Sequence, residues 1–163
     1  MVKPLDVNYK TWESDVQQFV KKKKNIIYGA RALNQNLPGL MRRYTNDFDI
    51  WTRSYKKDAY ALEVELEQRY PGNHYHVKQV VIPDGKTVYR VLHTPTSQVI
   101  ADFSRVPAKS SYREKEGLQI QTLQDQKRRL EAILCNPEKH YRHRKAKSDL
   151  NRINYYLRQT GVL

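Results

Sequence analysis

The chain has 163 residues and carries 30 Lys or Arg against 17 Asp or Glu, a formal net charge of +13. Its length predicts one domain, and Leu, Ile, Val and Phe, together about 23% of the residues, suffice for a modest core and exclude disorder as a reading of the whole. No apolar run approaches the roughly 18 to 20 residues that span a bilayer, the start MVKPLDVNYK has no apolar signal region, and the one cysteine, Cys135, excludes an internal disulfide and a multi-cysteine zinc site. The expectation is a cytoplasmic, reducing setting with no membrane partner.

Trp12, Val16, Phe19 and Val20 follow helical spacing, and Lys21 to Lys24 close that helix with positive charge at its negative dipole end. Asn25-Ile26-Ile27-Tyr28 reads as a short buried strand ending at Gly29. Ala30-Arg31-Ala32-Leu33-Asn34 then opens a helix that Pro38-Gly39 breaks. Phe48 to Trp51 predicts a second strand, and Ala59, Leu62 and Leu66 an amphipathic helix ending before Pro71-Gly72. His74 to Ile82 and Lys86 to His93 are β-branched and aromatic and meet across Pro83-Asp84-Gly85, which predicts a hairpin; Gln98 to Phe103 adds a third antiparallel strand. Ser104 to Gly117 is polar, basic and aperiodic, so a surface loop or lid is expected there. Leu123, Lys127, Leu130 and Leu134 space one further helix and Ala146, Leu150, Ile153 and Leu157 another, with Asn136-Pro137 breaking between them. The sum is an α+β fold with a mixed sheet of about five strands and helices packed against it.

The basic excess and 12 tyrosines suit a phosphate-rich ligand, although charge also serves solubility. Asp47 and Asp49, at i and i+2 on a predicted strand, project from the same face, where two carboxylates can share hard divalent cations. Gly29, between a strand and a helix N-terminus, lets the backbone approach a phosphate, although most glycines before helices are only turns. Asp102 lies in the apolar strand Val99-Ile100-Ala101-Asp102-Phe103, where a charge is costly unless compensated, and metal ions would supply compensation. Competing constellations fail. A calcium loop from Asp47 would need an oxygen ligand at Trp51 and a glycine at Thr52. The pairs His74/His76 and His140/His143 lack a Cys or acidic companion for zinc, and no P-loop or dinucleotide fingerprint is present.

Gly29-Ala30-Arg31-Ala32-Leu33 and Arg43-Tyr44-Thr45-Asn46-Asp47-Phe48-Asp49, followed by Asp102, resemble the DNA polymerase β-like nucleotidyltransferase superfamily. The nearest flavour is that of abortive-infection toxins and viral poly(A)-polymerase-like proteins. The likeness covers roughly residues 26 to 102 and more loosely the C-terminal helices. It implies one domain over 1–163, with a catalytic core at about 25–103 and a helical part at about 118–160. Asp47, Asp49 and Asp102 would be catalytic and bind Mg2+ or Mn2+, with Asp102 nearer the acceptor hydroxyl. Gly29, Ala30, Arg31 and Lys147 would hold the nucleoside triphosphate, and Arg142, Arg144 and Lys145 a nucleic acid. Arg43 and Thr45 would brace the strand. Ala30 departs from the family's second Gly or Ser and removes a hydroxyl contact to phosphate. The implied reaction moves a nucleoside monophosphate to an acceptor, an RNA or tRNA 3′ end by virtue of the basic charge. The alternatives are a non-catalytic nucleic-acid-binding module on the same fold and a toxin that modifies a protein; a microbial or viral origin fits the resemblance, and the sequence is silent on oligomeric state.

Overall fold

The computed structural model describes residues 9–161, with side chains from Trp12 onward; the start of MVKPLDVNYK lies outside the described residues. In chain order the elements are α1 (Tyr9–Lys23), β1 (Ile26–Tyr28), α2 (Gly29–Asn36), β2 (Phe48–Trp51), α3 (Tyr55–Arg69), β3 (Tyr75–Val81), β4 (Thr87–His93), β5 (Gln98–Ser104), β6 (Tyr112–Lys115), β7 (Leu118–Gln121), α4 (Leu123–Leu134) and α5 (His143–Gln159), with short 3-10 turns at Gly39–Met41 and Pro137–Arg142. Among the described residues no helix is long and apolar enough to cross a membrane.

The seven strands form one mixed sheet in the order β3-β4-β5-β2-β1-β7-β6. The run β3-β4-β5 is antiparallel, as the Pro83-Asp84-Gly85 turn predicts. β2 pairs parallel with β5 and antiparallel with β1, and β1 pairs parallel with β7. Of the two strands beyond the expected five, one comes from the stretch read as a loop and the other follows directly after it. Tyr112–Lys115 is β6, an edge strand whose polar side chains are mostly exposed, so its sequence carries no apolar alternation. Leu118–Gln121 is β7, too short to announce itself before the helix behind it, yet it buries Ile120 and Gln121 and inserts against β1.

Alternation along β2 sends Phe48 and Ile50 to one face of the sheet and Asp49 and Trp51 to the other. The first face meets α1 through Trp12, Val16 and Phe19 and α3 through Ala59, Leu62 and Leu66, forming the main core with Phe103 and Ile120. The buried Trp12 indole donates to the Tyr75 hydroxyl at 3.0 Å. Asp15 on α1 takes Arg69 at 2.7 Å and the Tyr70 hydroxyl, tying the two helices. Leu62 is fully buried in this core, so Leu62→Ala is expected to cost about 3 kcal/mol by cavity formation. That corresponds to a melting temperature lower by roughly 6 to 12 °C, readable by calorimetry. A second, smaller cluster joins Leu33 of α2 and Leu37 just after it to Ile153 of α5, with Leu123, Leu130 and Leu157 around it. Leu123 and Leu130 of the stripe expected on α4 are only half-buried against this cluster, and the fully buried positions of the helix are Asp125, Gln126 and Ile133. The Thr122 hydroxyl caps this helix by accepting from the Asp125 N–H at 3.2 Å.

Candidate active site

The other face of the sheet is roofed by α4 and α5, leaving a cleft of about 1630 Å³ between them. Ligand pockets usually hold about 300 to 1,000 Å³, so this cleft has room for more than one small molecule. Lys and Arg outnumber carboxylates more than two to one along its walls.

The register of the central strands assembles three acids. β2 and β5 run parallel with Asp49 beside Asp102, and Tyr28 at the end of β1 lies on the other side of Asp49. Asp47 enters from the residues just before β2. One carboxylate oxygen from each of Asp47, Asp49 and Asp102 lies within 4.8 Å of the others. Burial in the cleft floor, followed by repulsion from Asp47 and Asp102, pushes Asp49 up to about 7. Burial also raises Asp102, against an opposing pull from Arg90. Burial and the neighbouring Asp49 carry the Tyr28 phenol far upward; its hydroxyl shares a 3.1 Å hydrogen bond with Ser104. Three hard oxygen donors gathered with excess negative charge fit Mg2+ or Mn2+.

Asp102 does not await metal for all of its compensation, a correction to the sequence reading. Arg90 faces it across the β4–β5 ladder and donates two parallel hydrogen bonds, Nε to Oδ1 at 2.9 Å and Nη2 to Oδ2 at 3.0 Å. A carboxylate has about four acceptor positions, so metal coordination stays open to Asp102.

Gly29 stands where β1 turns into α2 with φ of +68°. A Cβ there would lie 2.6 Å from Asp49 Oδ2, so glycine is required both by backbone conformation and by the carboxylate beside it. The Gly29 N–H donates to Gln121 Oε1 at 3.1 Å, and its carbonyl accepts from Gln126 Nε2 at 2.9 Å. Ala30 lines the cleft, and its N–H, in the first turn of α2, has no partner within the helix.

Arg31 does not line the cleft. Its guanidinium donates to the carbonyls of Asp47 at 2.9 Å and Asn46 at 3.1 Å, pairs with Glu13 at 3.2 Å and covers the Phe48 ring at 3.7 Å. It therefore braces the approach to β2, the part expected of Arg43 and Thr45. Arg43 instead grips Asp149 of α5 at 3.0 and 3.2 Å.

On the basic segment, Arg142 and Lys145 line the cleft with Ala146 and Asp149, whereas Arg144 and Lys147 do not. The reason is rotation: positions 142, 145, 146 and 149 share a face at 3.6 residues per turn, and 144 and 147 fall outside it. Lys145 is also the member whose charge acts on Asp49. Sequence reasoning missed Lys86, at the entry to β4, whose ammonium lies 5.3 Å from the centre of the Tyr28 ring. Burial lowers its pKa, and Asp49 pulls the other way. It also missed Arg129, 5.0 Å over the Trp51 ring and paired with buried Asp125 at 2.8 Å. The i, i+4 spacing of Asp125 and Arg129 was the available signal.

The mixed sheet and its flanking helices have a nucleotidyltransferase-like fold, shared with a solved polyadenylate synthase. The chain superposes on the Megavirus polyadenylate synthase with a TM-score of 0.69 at 16% identity, over 91% of this chain and 31% of that one. It also matches JHP933 from Helicobacter pylori with a TM-score of 0.48 at 17% identity, over 78% of this chain and 55% of that one. The chain thus spans less than a third of the length of the viral enzyme. No protein-family model and no curated protein matches the sequence.

Proposed function

We propose that the chain is a metal-dependent nucleotidyltransferase that moves a nucleoside monophosphate from a nucleoside triphosphate to the 3′ hydroxyl of RNA, with release of pyrophosphate. The observation that carries this reading is the meeting of Asp47, Asp49 and Asp102 beside the start of α2, with Asp49 and Asp102 lining a basic cleft. The fold shared with the Megavirus polyadenylate synthase supports it. Residues 1–163 are taken as one domain, with the core expected at about 25–103 extended by β6 and β7 and the helical roof formed by α4 and α5. A reducing, cytoplasmic setting suits the lone, exposed Cys135.

Asp47, Asp49 and Asp102 would hold Mg2+ or Mn2+, which when bound neutralises phosphate charge and makes the acceptor hydroxyl more acidic. The acceptor oxygen bonds to the α-phosphorus, the bridging bond to the β-phosphate breaks, and pyrophosphate leaves with that electron pair. Asp102, oriented by Arg90, would be the carboxylate on the acceptor side and would take up the proton that the hydroxyl loses. The Ala30 N–H and the cations Lys86, Arg142 and Lys145 face the triphosphate and hold it by charge.

A second reading, a non-catalytic nucleic-acid-binding module, has two observations in its favour: both oxygens of Asp102 already hold Arg90, and the Gly29 N–H already holds Gln121. Incubating the purified protein with each labelled triphosphate, Mg2+ or Mn2+ and total RNA separates the two. Label is expected on RNA with the wild-type chain and to be absent with Asp102→Asn. Label on protein instead would move the acceptor to a polypeptide, and RNA binding without label would establish the binding module.

A further inference from the structure

β2 carries Asp49 along the floor of the cleft, and its ladder does not stop at Trp51. The Thr52 N–H donates to the Ser104 carbonyl at 3.0 Å, prolonging the β2–β5 pairing by one residue. Three residues of strand place Thr52 roughly 10 Å from Asp49. Arg53 and Arg105 follow directly on the two strands, and both line the cleft at that end. Arg53 also lines a second depression, of about 530 Å³, at the start of α3.

The composition of that depression is one-sided. Its walls are Arg53, Ser54, Lys56 and Lys57 with Tyr55, Tyr60 and Tyr89, and they contain no carboxylate. The nearest acid in sequence, Asp58, is buried and accepts a hydrogen bond from the Thr52 hydroxyl at 2.9 Å. Among the described residues Arg53, Lys56 and Lys57 form no ion pair. The Tyr55 and Tyr89 rings lie 5.5 Å apart, the Lys56 ammonium sits 6.0 Å from the Tyr89 ring centre, and Tyr60 is 45% exposed. Tyr55 and Tyr89 pack back against the main core and leave Tyr60 as the exposed ring; cations for phosphates beside an accessible aromatic face for a base are the two components of a single-strand nucleic-acid platform. A double helix hides its base faces and would use only the cations.

The geometry points to a path for single-stranded RNA that runs from the acidic cluster past Arg53 and Arg105 to the Tyr55–Tyr60–Tyr89 depression. The inference rests on the RNA-acceptor reading above and gives it a direction. Nucleotides upstream of the 3′ end leave the cleft at its Thr52 end; their phosphates meet Arg53, Lys56 and Lys57, and at least one base stacks on Tyr60. The reacting end needs none of these contacts.

The test is binding of labelled oligouridylates by the full chain, one of about three nucleotides and one of about twelve, a range bracketing single-strand site sizes. For the wild type the longer strand is expected to bind more tightly. Tyr60→Ala is expected to weaken the longer strand about ten-fold and the shorter one little, because only the longer strand reaches the tyrosines. Neutralising Arg53, Lys56 and Lys57 together should flatten the slope of log affinity against log salt by up to about two units for the longer strand. These side chains are at the surface, so melting temperatures should be unchanged, which separates lost contact from lost fold. If the wild type binds both strands and neither variant changes the longer one selectively, the path is overturned while the RNA-acceptor reading stands. If the wild type binds no RNA at low salt, the acceptor reading fails and the path with it. Equal affinity for a duplex of the same length, lost equally in Tyr60→Ala, would also overturn the path, since no base can stack there.

Discussion

In metal-free buffer at pH 8, Asp49→Asn is expected to melt above the wild-type chain while losing nucleotide transfer altogether. The folded chain holds the Asp49 carboxyl at about 7, first by burial and then by repulsion from Asp47 and Asp102. In the unfolded chain it ionises near the ordinary 3.8. Below that value the group is protonated in both states and neutral to stability. Between the two values the unfolded chain has lost the proton and the folded chain keeps it, so stability falls as pH rises. Above about 7 the full deficit is in place, about 4 kcal/mol at 1.36 kcal/mol per unit. Asparagine keeps the shape without the charge and should remove this slope. Melting curves from pH 4 to 9 in chelator check it, and Mg2+ should narrow the difference at pH 8 by offsetting the repulsion in the wild type. Undiminished transfer by Asp49→Asn, or an unchanged pH slope, would end the reading of this cluster as a metal centre.

Gly29→Val is expected to cost both activity and the response to ligand. A β-branched residue at φ of +68° is strained by roughly 1 to 2 kcal/mol, and its Cβ would displace Asp49 Oδ2 from 2.6 Å away. Transfer should drop at least 100-fold, because the damage falls on a carboxylate and on the phosphate approach at once. With the wild type, Mg2+ and triphosphate at about 100 times the dissociation constant should add roughly 2.7 kcal/mol of stability. In Gly29→Val that gain should vanish. Gly29→Ala should show the same direction at reduced size, since it places the same Cβ without the branch. A full ligand-induced shift in the valine variant would put the nucleotide elsewhere.

What the residues reveal before folding divides along physical lines. Short-range signals are legible: the Asp47-Phe48-Asp49 spacing, Gly29 ahead of a helix and the Pro83-Asp84-Gly85 turn all depend on neighbours in sequence. Arg90 is legible only once β4 and β5 are registered, because its meaning is the Asp102 opposite it. Arg31 misleads for a related reason: an arginine two residues after a glycine at a helix start invites an anion, yet its guanidinium meets the main chain at Asn46 and Asp47. Arg144 and Lys147 lie off the cleft because a helix deals the members of a basic run to different sides, which the run itself does not announce. β6 and β7 escape because an exposed edge strand and a four-residue insert carry too little apolar pattern to distinguish them from loop.

The late arrival of β7 bears on how the molecule assembles. β1 lies between β2 and β7, and the corner at Gly29 is held by Gln121 and Gln126, more than ninety residues further along the chain. A nascent chain that has emerged only through β5 already owns all three carboxylates, but β1 has one bare edge and the Gly29 N–H and carbonyl lack those partners. Closing so long a loop is a slow step in folding. The Gly29 corner is therefore set to close after the three acids have met, and the interval before residues 118–126 emerge is when the bare edge of β1 is most open to pairing with another chain.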